Sequence, residues 1–160
     1  MRVVVHAVGR MKAGPERELA QRYFDRFGRS GGAVGLEFAG VIETPEGRAS
    51  DATSRKAEEA GKILAHVDDN SVLVLLDERG KSLSSEDFAA RIARYRDDGR
   101  KSLLFSIGGP DGHDAALRGK ADLVLSFGTA TWPHQLVRVM LAEQLYRVST
   151  ILAGHPYHRA

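Results

Sequence analysis

The sequence predicts an α/β fold in which a mostly parallel sheet carries helices on both faces. Short β-branched and apolar runs alternate with helical patterns along the whole chain, as in successive strand–helix–strand units. The chain has 160 residues, of which 42% are hydrophobic and 28% are charged. That length is typical of one domain with a substantial core. We therefore expect residues 1–160 to form a single domain.

Five short apolar segments are predicted to be strands. The clearest is SVLVLL at 71–76, a continuous apolar run of the kind that is buried on both faces of a parallel sheet. The full set of predicted strands is 2–8, 34–39, 71–76, 102–107 and 121–126.

Four segments show helical signals. Pro15 opens a predicted helix over 15–27, and a second follows over about 54–66. Ser84 is a candidate N-cap for a third helix that reaches about Arg96. Pro133 lies in the first turn of a long helix that reaches about Leu152. The polar segment 43–53, which contains Pro and Gly, is predicted to be a mobile loop.

The long C-terminal helix is apolar on more than one side. A helix of this kind is buried on two sides. In a chain of this size it favours contact with the sheet and with a second subunit, and a central core helix of a monomer is the alternative. The apolar positions are Leu136, Val137, Val139, Met140, Leu141, Leu145, Val148, Ile151 and Leu152.

Composition excludes several classes of site. The chain has no cysteine, so neither a disulfide framework nor a cysteine-based zinc site is possible. The N-terminal apolar run is too short for a signal sequence, and no run approaches the length of a membrane span. We expect a soluble cytoplasmic protein with no metal and no membrane partner.

Charge gives a weak indication of an anionic partner. The formal net charge is +2. Basic residues crowd the first thirty positions and are able to contact phosphates, but a solvated helix face is the other interpretation. They are Arg2, Arg10, Lys12, Arg17, Arg22, Arg26 and Arg29.

Three loops follow predicted strands of the C-terminal half, at 77–81, 108–112 and 127–132. Parallel sheets bind ligands beyond the carboxyl ends of their strands, so these loops are candidate site elements. The Gly108–Gly112 loop exposes backbone without Cβ atoms, although a plain tight turn has the same composition. Its spacing matches neither a dinucleotide-binding fingerprint nor a P-loop.

The loop Phe127-Gly128-Thr129-Ala130-Thr131-Trp132 is small, rich in hydroxyls and carries the chain's one tryptophan. Such a loop is suited to wrap an adenosine-like group through backbone hydrogen bonds and an aromatic edge. Two structural alternatives remain open: Thr129 or Thr131 caps the following helix, and Trp132 packs in a core or an interface.

Polar residues on the last helix and in the tail are candidates for chemistry. His134 lies in the first helical turn. Arg138 has no carboxylate four residues away, which leaves it available for a phosphate or carboxylate. The tail concentrates His155, Tyr157, His158 and Arg159, which offer proton transfer and phosphate binding, although chain ends commonly fray. A third metal ligand is missing from the tail, which argues against zinc.

Several segments together closely resemble the RlmH family, which belongs to the SPOUT class of knotted methyltransferases. They are AVGRMK at 7–12, LLDERGK at 75–81, SIGGPDG at 106–112, TWPHQLVRVMLAEQLYR at 131–147 and GHPYHR at 154–159. Each motif alone is weak, whereas their order, their spacing and the total length make the match specific. The tail matches the family at Pro156, Tyr157 and His158.

The resemblance implies a SPOUT-type fold with a trefoil knot near the C-terminus, a homodimer, and S-adenosylmethionine as cofactor. It implies methylation at N3 of a pseudouridine in large-subunit ribosomal RNA. It also implies cofactor binding by Leu76, Gly108 and the loop Phe127, Gly128, Thr129, Ala130, Thr131 and Trp132. This chain has Gly128 and Ala130 where the family usually has a serine and a larger apolar residue, so contacts at those positions are expected to be largely through backbone.

The acceptor imide nitrogen must lose a proton, and a neutral imidazole is suited to take it. We hypothesise that His158 is the base and that Tyr157 and Arg159 place the nucleotide. His134 and Arg138 are candidates for orienting the base or its phosphate. A subunit's tail completing its partner's site would make the dimer essential for activity. Two alternatives remain: a knotted methyltransferase for another RNA such as tRNA, and a non-enzymatic ribosome-binding factor.

Overall fold

The computed structural model describes residues 1–159 as an alternation of strands and helices. The elements in chain order are β1 (Arg2–Val8), α1 (Pro15–Ser30), a 3-10 turn (Gly31–Val34), β2 (Glu37–Thr44), α2 (Ala52–Leu64), β3 (Ser71–Ser82), α3 (Ser85–Asp97), β4 (Ser102–Ile107), α4 (Ala115–Lys120), β5 (Leu123–Ser126) and α5 (His134–Leu152).

The five strands form one sheet in the order β2-β1-β4-β3-β5. Every neighbouring pair is parallel. The predicted α/β class with a parallel sheet is therefore confirmed. Because all five strands run the same way, their carboxyl ends meet at one edge, where parallel sheets place their ligands.

Helices cover both faces of the sheet, as predicted. On one face α1, α3 and α5 pack on alternate strand residues such as Val5 and Phe105. The opposite face carries a smaller cluster in which Val4 and Leu73 meet Ile63 of α2 and Leu117 of α4. The alternation follows from the strand geometry, because successive side chains point to opposite faces.

The strand β2 lies later in the chain than predicted. The sequence pattern predicts 34–39, whereas the strand runs over Glu37–Thr44. The residues before it form the 3-10 turn, which ends at Gly35 with φ +75°. That left-handed conformation favours glycine and reverses the chain before the strand begins.

The predicted loop at 77–81 is wrong as an independent loop, because β3 continues to Ser82. The pairing of β3 with β5 is interrupted after Leu76 and resumes with Lys81 opposite Leu125 and Ser82 opposite Ser126. At Gly80 a Cβ would lie 2.5 Å from the Val124 carbonyl oxygen, so only glycine allows this close approach. The intervening residues bulge out at the carboxyl edge of the sheet.

Two predictions about helix starts have different outcomes. Ser84 is the N-cap of α3, as predicted, and its Oγ accepts a hydrogen bond of 3.0 Å from the Asp87 backbone N–H. Capping of α5 by Thr129 or Thr131 is wrong, because Pro133 occupies the N-cap and no side chain caps the helix.

The segment between β2 and α2, predicted to be mobile, is held against α2. The Gly47 N–H donates to Glu59 at 2.8 Å, and the Arg48 N–H donates to Glu58 at 2.9 Å. Lys62 Nζ donates to the Pro45 carbonyl at 2.8 Å. These three hydrogen bonds connect the polar segment to α2.

Candidate functional site

A cavity of about 250 Å³ opens at the carboxyl ends of β3, β4 and β5. Its apolar wall is formed by Leu76, Ile107, Leu125 and Val137. The remaining lining residues come from loops and from the start of α5; they are Asp77, Glu78, Arg79, Gly108, Gly109, Pro110, Asp111, Gly112, Phe127, Gly128, Ala130, Thr131, Trp132 and His134. An apolar wall beneath a polar, backbone-rich rim is the usual form of a small-molecule site.

The cavity brings together most of the residues that the sequence resemblance assigns to cofactor binding. Leu76 at the end of the first β3 segment and Gly108 after β4 line the same cavity, because Leu76 pairs with Ile107 on the neighbouring strand. Five residues of the 127–132 loop line it as well, and Thr129 is the exception. His134 also lines the cavity, although it was expected to orient the substrate.

The Gly108–Gly112 loop has no room for side chains at its first two glycines. A Cβ on Gly108 would lie 3.2 Å from the Gly112 carbonyl carbon, and one on Gly109 would lie 3.0 Å from Val8 Cγ1. The Gly112 N–H closes the turn by donating to the Gly109 carbonyl at 2.9 Å. The first two glycines therefore allow the close packing of this loop on its neighbours, and all three glycines line the cavity.

An ion pair fixes this glycine loop to α2. Arg55 Nε and Nη2 donate to the two carboxylate oxygens of Asp111 at 2.8 and 3.2 Å. The bidentate geometry keeps the pKa of Asp111 below its usual value and raises that of Arg55. Nothing in the local sequence pattern indicates this pair, because the two residues lie far apart in the chain.

A hydrogen bond joins two walls of the cavity at its mouth. Thr131 Oγ1 donates to Glu78 Oε2 at 2.8 Å. Glu78 belongs to the bulge of β3 and was not singled out in the sequence analysis beyond its membership of the 77–81 segment. Where β5 ends and the 127–132 loop begins, Ser126 Oγ accepts a hydrogen bond of 3.1 Å from the Gly128 N–H, which shapes the turn.

Trp132 is not a core residue. Its side chain is 43% exposed, and its Nε1–H donates to the Phe127 carbonyl at 3.3 Å across the loop. The indole therefore forms part of the cavity rim, and its exposed face remains available to a ligand or to another chain.

Arg138 is paired, contrary to the expectation that it is free. Its Nη1 donates to Glu43 Oε2 at 3.0 Å, and the Met11 N–H donates to the same oxygen at 2.6 Å. Although partial burial works against it, these donors keep the pKa of Glu43 below its usual value. The expectation was wrong because it considered only carboxylates on the same helix. Arg138 and His134 both line a smaller cavity, which shares Pro110 and His134 with the first one.

The tail folds back onto α3 and α5. Tyr157 donates its hydroxyl hydrogen to Glu143 Oε1 at 3.0 Å. Burial, together with hydrogen bonds to Tyr23 and Glu143, raises the pKa of Tyr157, so this phenol stays protonated at neutral pH. Arg159 is exposed at the end of this segment.

His158 has a partner at each ring nitrogen. Arg147 Nη1 is a donor, so the Nδ1 atom 3.2 Å away accepts. The proton therefore resides on Nε2, which donates to Glu86 Oε1 at 2.7 Å. The arrangement is a neutral imidazole oriented by a carboxylate, which is how a histidine base is commonly held.

The tail and the cavity are separate within one chain. None of residues 153–159 lines the cavity. The tail contacts Glu143 and Arg147, whereas His134 at the other end of α5 faces the cavity. From His134 to Arg147 the helix rises by about 20 Å, at 1.5 Å per residue. The predicted cofactor residues and the predicted base thus form two sites in a single chain.

Within residues 1–159, no three His, Asp or Glu residues are grouped so that they would hold a metal ion. No helix in the same range is both long enough and apolar enough to cross a membrane.

Residues 1–158 match the family model described as "Predicted SPOUT methyltransferase". The match includes every strand and helix of the fold and both parts of the candidate site. The chain belongs to the SPOUT methyltransferase family.

Two relatives match over the full length of both chains. The chain is 66% identical over 160 residues to "Ribosomal RNA large subunit methyltransferase H" of Mesorhizobium japonicum, and 65% identical over 160 residues to the protein of that name in Brucella anthropi. Among solved structures, the SpoU methyltransferase AviRb from Streptomyces viridochromogenes, in complex with AdoMet, aligns with 15% identity and a TM-score of 0.39; the alignment covers 92% of this chain and 59% of that chain.

Proposed function

We propose that this chain is an S-adenosylmethionine-dependent methyltransferase that methylates N3 of a pseudouridine in large-subunit ribosomal RNA. One observation carries the proposal: the cavity at the carboxyl ends of β3, β4 and β5 gathers Leu76, Gly108 and most of the 127–132 loop. The shared full-length identity with proteins named ribosomal RNA large subunit methyltransferase H supports the substrate class.

The cavity fits the cofactor in its chemistry. An adenine ring needs flat apolar walls and backbone hydrogen bonds at its edge, which Leu76, Ile107 and the Gly108 region provide. The carboxylate of Glu78, at the mouth, is suited to hydroxyl or ammonium groups. When bound, S-adenosylmethionine supplies a methyl group already activated as a sulfonium. The protein's own contribution is then mainly to position the acceptor.

The tail supplies the group that takes the proton from the acceptor nitrogen. The hydrogen bonds of His158 suit a neutral ring with its proton on Nε2, which is the state a base requires. Tyr157 remains protonated, so it acts as a hydrogen-bond donor and not as a base. Arg159 is exposed and is available to a phosphate. We assign His134 and Arg138, beside the cavity, to orienting the nucleotide.

The active site is completed by a second copy of the chain. Within one chain the tail lies on the far part of α5, whereas the cavity lies at its start. Leu136, 39% exposed on the first turn of α5, and Trp132 provide apolar surface next to the cavity for such a contact. A homodimer that brings the tail of one chain to the cavity of the other unites the base with the cofactor. The trefoil knot implied by the RlmH resemblance remains a prediction.

The assembled large subunit within the ribosome is the favoured substrate. The net charge of +2 is small for a protein that grips naked RNA through phosphates alone. A folded ribosomal surface in the cytoplasm offers further contacts that would compensate for this modest charge.

Transfer of a labelled methyl group from S-adenosylmethionine tests the proposal. Ribosomes, isolated large subunits, naked large-subunit RNA and tRNA, all from cells without this modification, are compared as acceptors. We expect one methyl group per ribosome, located by mass spectrometry on N3 of a pseudouridine. Methylation of tRNA alone would replace the proposed substrate, and the absence of transfer to any acceptor would favour a non-enzymatic ribosome-binding factor.

A further inference from the structure

His113 is a buried histidine beside the cavity that the proposed mechanism does not use. It directly follows the Gly108–Gly112 loop and is only 3% exposed. Its Nε2 atom lies 3.2 Å from the Ser106 carbonyl oxygen. A carbonyl only accepts, so Nε2 must carry the ring proton and donate it to the backbone of β4, two residues before Gly108.

The imidazole ring also packs directly on Gly108. A Cβ on Gly108 would lie 3.3 Å from both Cε1 and Nε2 of His113. The ring therefore occupies the space behind this glycine, on the side that a side chain would otherwise fill. Because protein interiors are closely packed, the loop backbone has little freedom to move toward the ring.

The backbone of His113 is itself fixed. Arg118 Nη1 donates to the His113 carbonyl at 2.8 Å and lies 3.6 Å from the carboxylate of Asp77. Burial lowers the pKa of His113, while the hydrogen bond to the Ser106 backbone, the charge of Asp77 and the backbone of Leu76 act in the opposite direction. The ring thus lies against Ser106 and Gly108, and the His113 backbone is connected through Arg118 to Asp77 of β3.

We propose that His113 is a positioning residue for the cofactor site, which holds the Gly108 backbone in its binding geometry through the hydrogen bond to Ser106 and the contact with Gly108. The inference rests on the proposed function in one respect only, namely that this cavity binds S-adenosylmethionine. His113 itself does not line the cavity and has no direct contact with a ligand in it.

Two substitutions separate the hydrogen bond from simple packing. His113→Leu keeps a bulky side chain but removes the donor, whereas His113→Gln retains an N–H near the Nε2 position. We expect His113→Leu to weaken S-adenosylmethionine binding, measured by titration calorimetry, by about tenfold, which is the usual consequence of losing one buried hydrogen bond. His113→Gln should restore affinity to within about threefold.

His6→Leu is the matched control for a general loss of stability. His6 is also buried and also contacts Ser106, but through the Ser106 hydroxyl at 3.2 Å, and it belongs to β1, none of whose residues lines the cavity. We expect His6→Leu to lower the unfolding midpoint as much as His113→Leu while leaving cofactor affinity unchanged. Equal loss of affinity in both variants, or unchanged affinity in His113→Leu, would overturn the positioning role.

A ligand-free measurement keeps this inference distinct from the proposed function. Hydrogen–deuterium exchange of the peptide amides over 106–112 should be faster in His113→Leu than in the wild type and in His6→Leu, without any cofactor present. If the wild-type protein binds no S-adenosylmethionine, the proposed function fails, and this comparison still decides whether His113 holds the loop. Unchanged exchange over 106–112 would contradict the inference.

Discussion

Glu86 Oε1 accepts a hydrogen bond of 2.7 Å from His158 Nε2, which ties the C-terminal tail to the first turn of α3. The same imidazole accepts from Arg147 through Nδ1. Both ring nitrogens are therefore occupied in the single chain. In the proposed mechanism the lone pair that takes the proton is the one on Nδ1, so Arg147 must be exchanged for the acceptor nucleotide before His158 can act as a base.

Replacement of His158 by alanine should separate catalysis from cofactor binding. We expect His158→Ala to lower the single-turnover rate of ribosome methylation by at least about 100-fold, because general bases commonly contribute that much. S-adenosylmethionine affinity should change by less than about twofold, since the tail does not line the cavity. His155→Ala, at the exposed histidine earlier in the tail, is the control. A normal rate in His158→Ala would remove this residue from the mechanism.

The ion pair between Arg55 and Asp111 should matter more for binding than for folding. Asp111→Asn removes a charge that anchors the glycine loop to α2, and we expect S-adenosylmethionine affinity to fall by about threefold to fivefold. Asp97→Asn is the matched control, because Asp97 forms an equally short pair of 2.8 Å with Arg96 on α3, away from the cavity. Calorimetric titration of both variants provides the comparison. If Asp111→Asn and Asp97→Asn bound S-adenosylmethionine equally well, the glycine loop would keep its geometry without this ion pair.

The contact between Glu43 and Arg138 should be a measurable link between β2 and α5. Arg138 is 11% exposed and Glu43 is 31% exposed, so solvent screens the pair only partly. A double-mutant cycle with Glu43→Gln and Arg138→Ala should give a coupling energy of about 1 kcal/mol in the free energy of unfolding. Urea denaturation of the four proteins measures it. Strictly additive effects would mean that the pair contributes nothing to holding α5 beside β2.

Stability should decrease in mild acid because of His6. Burial, followed by repulsion from His66, His113 and Lys62, lowers the pKa of His6 from 6.5 to about 4. Between these two values the unfolded chain binds the proton and the folded chain does not. The free energy of unfolding is thus unaffected by His6 above pH 6.5 and falls as the pH drops toward 4, by up to about 3 kcal/mol.

His6→Leu should flatten that pH dependence. The variant lacks the titrating ring, so its free energy of unfolding should decrease less steeply between pH 6.5 and pH 4 than that of the wild type. His155→Leu, at an exposed histidine, should keep the wild-type slope. Urea denaturation at a series of pH values measures all three proteins. Parallel curves for the wild type and His6→Leu would mean that His6 is protonated in the folded state at mild acid pH.

The sequence predicted the bounds of β1 and β4 well and those of the edge strand β2 poorly. β1 and β4 have the predicted bounds because their apolar runs are continuous and buried on both faces. β2 is paired on one side only and alternates exposed and partly buried residues, so its pattern competes with that of the preceding turn. The continuation of β3 past Gly80 depends on a close approach to Val124 that no local pattern records.

For the candidate site, the order of strands and loops along the chain predicted which loops come together. The ion pairs between side chains were not predicted. Parallel strands imply that loops after β3, β4 and β5 converge, and they do. The pairs of Arg55 with Asp111 and of Arg138 with Glu43 join distant parts of the chain, so spacing along one helix was misleading for Arg138. His113 was not identified from the sequence, because the local pattern does not show whether a histidine after a glycine turn is buried.

Titration calorimetry of S-adenosylmethionine into the wild-type protein and into Gly108→Ala tests the central claim most directly. At Gly108 an added Cβ presses on the Gly112 backbone and on His113, whereas at Gly119 of α4 it meets nothing within 4 Å, so Gly119→Ala is the matched control. We predict saturable binding by the wild type and by Gly119→Ala, and a loss of about tenfold or more in Gly108→Ala, with all three proteins folded. Equal binding by Gly108→Ala, or no binding by a folded wild type, would contradict the assignment of the cavity as the cofactor site.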